Sequence, residues 1–168
     1  MYDHQTESLW SQLLEKSVSG PMVGRPLIKL PSKRMKWKNW LKKNKRTFVL
    51  SDKTGFIRDY STDPYKGYYR IGSLIFPVGK VRKDMRAKER ILGIKINQTA
   101  KAYRLSDISI QKGILTDSIN RNYITIHINK DGEVVDVTDQ KGISITYIFS
   151  YWFAWQAFHP HTLVYKHP

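Results

Sequence analysis

"YITIHINKDGEVVDVTDQKGISITYIF", residues 123–149, carries the strongest periodic signal in the chain. Ile124, Ile126 and Ile128 fall on one face of an extended run, and Tyr123, Thr125 and His127 fall on the other. A period of two is that of a half-buried β-strand. Lys130-Asp131-Gly132 supplies a hairpin turn, since glycine tolerates the positive φ needed there. Glu133 to Val137 returns, Gln140-Lys141-Gly142 turns again, and Ile143 to Phe149 runs a third time. The stretch predicts a three-stranded meander. The fold class is α+β, short antiparallel strands with a few short helices.

Working outward, Ile91–Ile96 and Ala100–Leu105 read as two further strands, with Asn97-Gln98 at the turn between them. Downstream, SYWFAWQAF is a short helical stretch stopped by Pro160, followed by the strand-like TLVY. Toward the N-terminus, Leu9, Trp10, Leu13 and Leu14 sit at helical spacing, so residues 6–16 are expected to be a helix capped by Thr6 or Asp3. A second helix is expected over residues 33–44, capped by Ser32, with Trp37, Trp40 and Leu41 on one face. Thr47–Leu50 reads as a short strand. Residues 58–79, with four tyrosines among turn residues, read as an ordered loop.

Two of these pieces are alike. W-K-N-W-L-K-K-N-K-R-T-F-V-L from Trp37 aligns without a gap on W-F-A-W-Q-A-F-H-P-H-T-L-V-Y from Trp152. Trp37 and Trp152, Trp40 and Trp155, Thr47 and Thr162, and Val49 and Val164 coincide. Only five tryptophans occur in the chain, so four in register predict a partial internal repeat of a W-x-x-W helix–turn–strand unit. Tryptophans at i and i+3 share one helix face, so all four are expected in the core. The lysines are not shared. Lys38, Lys42, Lys43 and Lys45 stand opposite Phe153, Ala157, Phe158 and Pro160.

At 168 residues the chain reads as a single domain, 1–168, long enough to bury about 70% of its unfolded surface. Aromatics at 12% argue against disorder. The absence of cysteine removes disulfides, thiolate chemistry and cysteine-based zinc sites. The formal net charge of +15 attracts polyanions. Candidate polyanion-binding residues are Lys33, Arg34, Lys38, Lys42, Lys43, Lys45 and Arg46 in one basic run, with Arg82 and Lys83 in a second over residues 80–90. No apolar run reaches the length of a membrane span, and MYDHQTESLWSQLL lacks the basic and apolar regions of a signal peptide.

No catalytic residue can be nominated and no cofactor is expected. No Gly-rich phosphate loop follows a strand, and no serine sits in a G-x-S-x-G elbow. Asp3, Thr6, Ser8 and Gln12 form a polar set beside Trp10, either a small polar site or helix-capping groups. Asp131, Glu133, Asp136 and Asp139 match no calcium loop and read as turn formers. His159 and His161, with His167 nearby, are the only histidines close enough to raise a metal site, and the intervening Pro160 argues against convergence. No metal is therefore expected.

"MYDHQTESLWSQ", "KERILG", "AKAY" and "YWFAWQAFHPHT" resemble the C-terminal portion of the bacterial and archaeal family called domain of unknown function 3179. The resemblance covers nearly the whole chain. It implies a tandem of two related halves, a longer N-terminal half bearing a His-Glu pair and a cysteine-containing segment, and an exported or envelope-associated setting. It implies no activity. The chain departs from the family pattern at Arg104, where Ala102-Tyr103-Arg104-Leu105 stands for Ala-Tyr-Pro-Leu, and at Asn44-Lys45, which replace His-Pro. Three functional expectations follow: a non-enzymatic binding or structural module; a basic surface for nucleic acid or another polyanion; or part of an enzyme whose catalytic half, an upstream partner, is absent.

Overall fold

The computed structural model describes residues 1–75 and 78–166. The chain divides into two compact units, Met1–Lys33 with Val78–Pro168, and Arg34–Pro77. The first contains strands β1 (Leu9–Ser11), β2 (Lys16–Ser19), β3 (Arg90–Ile96), β4 (Thr99–Arg104), β5 (Gly113–Ile119), β6 (Asn122–Ile128), β7 (Val134–Asp139), β8 (Tyr147–Tyr151) and β9 (Leu163–Val164). Its helices are α3 (Leu105–Ser109) and α4 (Trp152–Phe158). The second unit holds α1 (Trp37–Lys43) and α2 (Lys66–Arg70). The class is α+β.

A four-stranded sheet in the order β8-β3-β4-β9 forms the centre of the first unit. Its strands alternate, and each face has its own core. Leu92, Ile94 and Tyr103 point to one side, where they pack with Leu115, Ile124, Ile126, Val137 and neighbours of the meander. Ile91, Ala100 and Ala102 point to the other, where Trp152 and Trp155 of α4 lie on them with Met85. Gly93 makes that second seat possible. A Cβ built there would stand 2.4 Å from the Trp155 ring. Glycine in a strand interior marks such close approach. After α4 the chain returns as β9, pairing in parallel with β4 through Leu163 and Val164.

The meander exists, with one strand assigned differently from expectation. It is β5-β6-β7, all antiparallel. The alternation at Ile124, Ile126 and Ile128 is the buried face as expected. The third predicted run splits instead: Ser144 bridges Thr138 beside β7, and Tyr147–Tyr151 then crosses to pair with β3. The first meander strand, Gly113–Ile119, was hidden by Asp117 at an inward-facing position between Leu115 and Ile119. Its carboxylate is matched there by Lys101 Nζ at 2.6 Å and by the Tyr103 hydroxyl, which donates at 2.7 Å.

The helix expected over residues 6–16 is not formed. Leu9–Ser11 pairs antiparallel with Lys16–Ser19, and Glu7 and Glu15 take left-handed backbone angles, φ 51° and 60°. Short polar side chains explain the difference, because they bond the local backbone in place of a helical ladder. Asp3 accepts from the Thr6 amide at 2.7 Å and from the Trp10 indole at 2.6 Å.

In the second unit, α1 falls inside the expected span, whereas residues 47–50 form no strand. The loop expected over 58–79 contains the short α2, and its residues 76 and 77 lie outside the described residues. The expected burial of the tryptophans holds for one pair only. Trp152 and Trp155 are 0% and 1% exposed, Trp37 and Trp40 49% and 40%. Among the described residues of the second unit no sheet offers α1 the surface that β3 and β4 offer α4.

Candidate functional site

The polar set at the N-terminus is a self-contained network. Asp3 Oδ2 lies 2.7 Å from Thr6 Oγ1, which lies 2.8 Å from Ser8 Oγ. Ser8, fully buried, accepts from the Met22 amide at 3.1 Å and donates to the Thr6 carbonyl at 3.3 Å. The Trp10 indole, then the Thr6 hydroxyl and amide, hold the Asp3 carboxyl below the usual carboxylate range. Gly20, at φ +88°, passes so close that a Cβ would meet Ser8 at 2.8 Å. These residues fasten the N-terminal segment. Gln12 is not among them; its amide approaches Met1 Sδ at 3.5 Å.

Gln12 instead borders a cleft of about 650 Å³ on the first unit. One wall is the face of β8 and β3 carrying Ile148, Gly93 and Lys95, with the edge of Trp155; the other is Leu13, Glu15 and residues 27–30. The β1–β2 segment builds the second wall, as the Leu27 amide donates to the Glu15 carbonyl at 2.8 Å. Glu15 Oε2 sits between two ammonium groups, 3.3 Å from Lys29 Nζ and 3.3 Å from Lys95 Nζ. Beside them His159 packs on the Trp155 ring, centroids 4.2 Å apart. Burial, then the Lys95 charge, push its pKa down against the opposing pull of Glu15. Burial and the lysine thus favour the neutral imidazole.

Two lysines sharing one carboxylate leave a net positive charge at a mainly apolar cleft, which Gln12, Thr146 and Ser150 also border. Such a site can hold a molecule with an apolar body and one anionic group. The sequence signal was present but faint. Strand period places Lys95 on the same face as Gly93, and only the fold brings Glu15 and Lys29 to it.

The sequence-predicted cations have different local settings. Lys33 pairs with Asp136 at 2.6 Å. Burial alone would raise the Asp136 carboxyl, but the bonds from Lys33 and Ser144 outweigh it and lower its pKa. Arg82 forks onto Asp84 at 2.8 and 3.1 Å, donates to the Pro160 and Thr162 carbonyls at 3.0 and 2.8 Å, and lies over the Trp152 ring. It clamps the turn after α4. Lys83 is exposed, as is Arg34. Lys38, Lys42, Lys43, Lys45 and Arg46 stand together along residues 38–46, exposed and without an ion pair among the described residues.

His161 is exposed, and His167 lies outside the described residues. Among the described residues no three histidine, cysteine, aspartate or glutamate side chains converge as a metal site would require. Of the acidic hairpin residues Asp139 is a turn former, its Oδ1 accepting from the Lys141 and Ile143 amides, both at 2.9 Å, whereas Asp136 holds Lys33 and Ser144. No helix among the described residues is long and apolar enough to cross a membrane.

Comparison with curated proteins and with solved structures finds no match. A protein-family profile described as "Protein of unknown function (DUF3179)" does match, over residues 1–149. The match takes in the Asp3 network, the walls of the cleft formed by residues 12–30 and by β3, and the whole meander. The chain belongs to the DUF3179 family.

Proposed function

We propose that this protein is a non-enzymatic binding module whose ligand seat is the cleft between residues 12–30 and the β8–β3 face. The observation that carries the reading is Glu15 held between Lys29 and Lys95 at 3.3 Å from each, at a mainly apolar concavity. An amphipathic anion replaces Glu15 as the partner of one lysine and buries its apolar body against Leu13, Leu27 and Ile148. The partly desolvated Lys95, at 23% side-chain exposure, gives the pairing more strength than a surface ion pair has. Calorimetric titration with decanoate is expected to show saturable binding that weakens in Lys95→Ala. Metal-independent hydrolysis of ester, phosphate-ester or glycoside substrates, lost in Glu15→Gln, would overturn the non-enzymatic reading.

A second reading concerns the other unit. Five cations without ion pairs over residues 38–46 favour polyanion binding there. Its signature is an affinity for single-stranded DNA that falls linearly in log salt. The structural duties of Arg82 and Lys33 predict that replacing either changes that slope little. Absence of binding to DNA, RNA and anionic vesicles at low ionic strength would end this reading.

A further inference from the structure

From Trp37 to Thr47 the chain repeats the helix, its C-terminal residue and the indole–threonine bond of the segment from Trp152 to Thr162. Helices α1 and α4 are both seven residues long and offset by 115. Each ends on a residue of the same unusual conformation, Asn44 at φ −127°, ψ 73° and His159 at φ −129°, ψ 68°. The amides of those residues donate to the Trp40 and Trp155 carbonyls at 2.9 and 3.0 Å. The Trp40 indole donates to Thr47 Oγ1 at 2.9 Å, as the Trp155 indole does to Thr162 Oγ1 at 2.9 Å.

The second segment shows what such a unit sits on. Trp155 covers Gly93 in the middle of β3, the Trp152 indole donates to the Arg82 carbonyl at 3.0 Å, and Val164 pairs in parallel with β4 at Ala102. The residue pattern of the first segment matches that docked state. In the docked copy the exposed positions are Ala157, Phe158, Pro160, His161 and Leu163, and their counterparts are Lys42, Lys43, Lys45, Arg46 and Phe48. Among the half-buried or buried positions, Trp152, Trp155, Gln156, Val164 and Tyr165 correspond to Trp37, Trp40, Leu41, Val49 and Leu50. Four of the five exposed positions carry cations; of the nine covered positions five carry apolar groups, and Lys38, Asn39, Asn44 and Thr47 stand at the other four.

We infer that residues 37–50 are a docking element for an open-edged antiparallel strand pair of another polypeptide, built like β3–β4. That partner offers a glycine beneath the Trp40 ring and an edge strand of small residues for Val49 to pair with in parallel. Strand addition at a free edge is an established mode of recognition. The seat within this chain is already filled by α4, so a second copy does not serve. The lysines remain on the solvent side of the docked element, which leaves the polyanion reading independent of this one.

The test uses the intact ¹⁵N-labelled chain and a backbone-cyclised hairpin of residues 89–105 as probe, with its β-structure verified before mixing. The indole signals of Trp37 and Trp40 are expected to shift saturably, with those of Trp10, Trp152 and Trp155 unmoved. The same hairpin carrying Gly93→Leu is expected to bind about ten-fold or more weaker, the cost of overpacking the ring's seat. The inference is overturned if the Trp37 and Trp40 signals do not move, or if both hairpins act alike. It is equally overturned if the signals respond only to oligothymidylate, which would make the indoles a base-stacking platform, or to the chain's own concentration.

Discussion

Replacing Gly93 by alanine probes the junction on which one whole core depends. A new Cβ would stand 2.4, 2.6 and 2.7 Å from three carbons of the Trp155 ring. Carbon atoms pack at about 3.5–4.0 Å, so the ring has to retreat by about 1 Å. It has little room to do so. Trp155 is 1% exposed and its indole is tied to Thr162 Oγ1 at 2.9 Å. Gly93 does not have a positive φ, so alanine meets no backbone penalty there and gains about 0.5–1 kcal/mol over glycine in a strand. Overpacking costs about 1–3 kcal/mol, and loss of the indole hydrogen bond adds about 1 kcal/mol. The net is a loss of about 1–3 kcal/mol, or about 2–12 °C in Tm for a chain of this size. Urea unfolding followed by tryptophan fluorescence measures it. The double variant Gly93→Ala with Trp155→Leu is expected to lose less than the sum of the two singles, since leucine vacates the space. A Gly93→Ala protein as stable as the parent would refute the packing argument.

Thr162→Val removes the acceptor of a buried indole and is expected to cost about 1–3 kcal/mol, whereas Thr47→Val at the exposed counterpart costs under about 0.5 kcal/mol; chemical denaturation compares them. Asp117→Ala strips the partner from both Lys101 and the buried Tyr103 hydroxyl and is expected to cost about 3 kcal/mol by the same assay. Asp3 and Asp59 have folded-state pKa values below the ordinary 3.8, Asp59 at about 2 through its bonds from Ser61 and Thr62. A depressed carboxylate favours the folded form above the unfolded pKa. That contribution is present above pH 3.8 and fades as pH falls toward 2, which side-chain NMR titration of the two carboxyls detects.

The sequence made the fold legible where burial is one-sided. Ile124, Ile126 and Ile128 alternate because one face of β6 meets the core and the other meets solvent. The reading failed where a polar group does structural work indoors. Asp117 broke the pattern of β5, yet it belongs inside because Lys101 and Tyr103 wait for it. Apolar spacing over Leu9, Trp10, Leu13 and Leu14 imitated a helix, and the Asp3–Thr6–Ser8 network, invisible to periodicity, decided otherwise. The tryptophan pattern was read correctly at Trp152 and Trp155 and too generously at Trp37 and Trp40. Trp152 and Trp155 are buried against Ile91, Ala100 and Ala102 of β3 and β4, whereas Trp37 and Trp40 stay 49% and 40% exposed. The cleft was beyond reach, since Glu15 and Lys95 lie 80 residues apart and meet only through tertiary structure.

A titration of the ¹⁵N-labelled chain with decanoate tests the central claim most directly. The account predicts saturable shifts confined to the amides of Glu15, Lys29, Gly93, Lys95 and Ile148, and their disappearance in Lys95→Ala. Shifts scattered over exposed lysines, or a map unchanged by that substitution, would contradict the assignment of the cleft as a binding site.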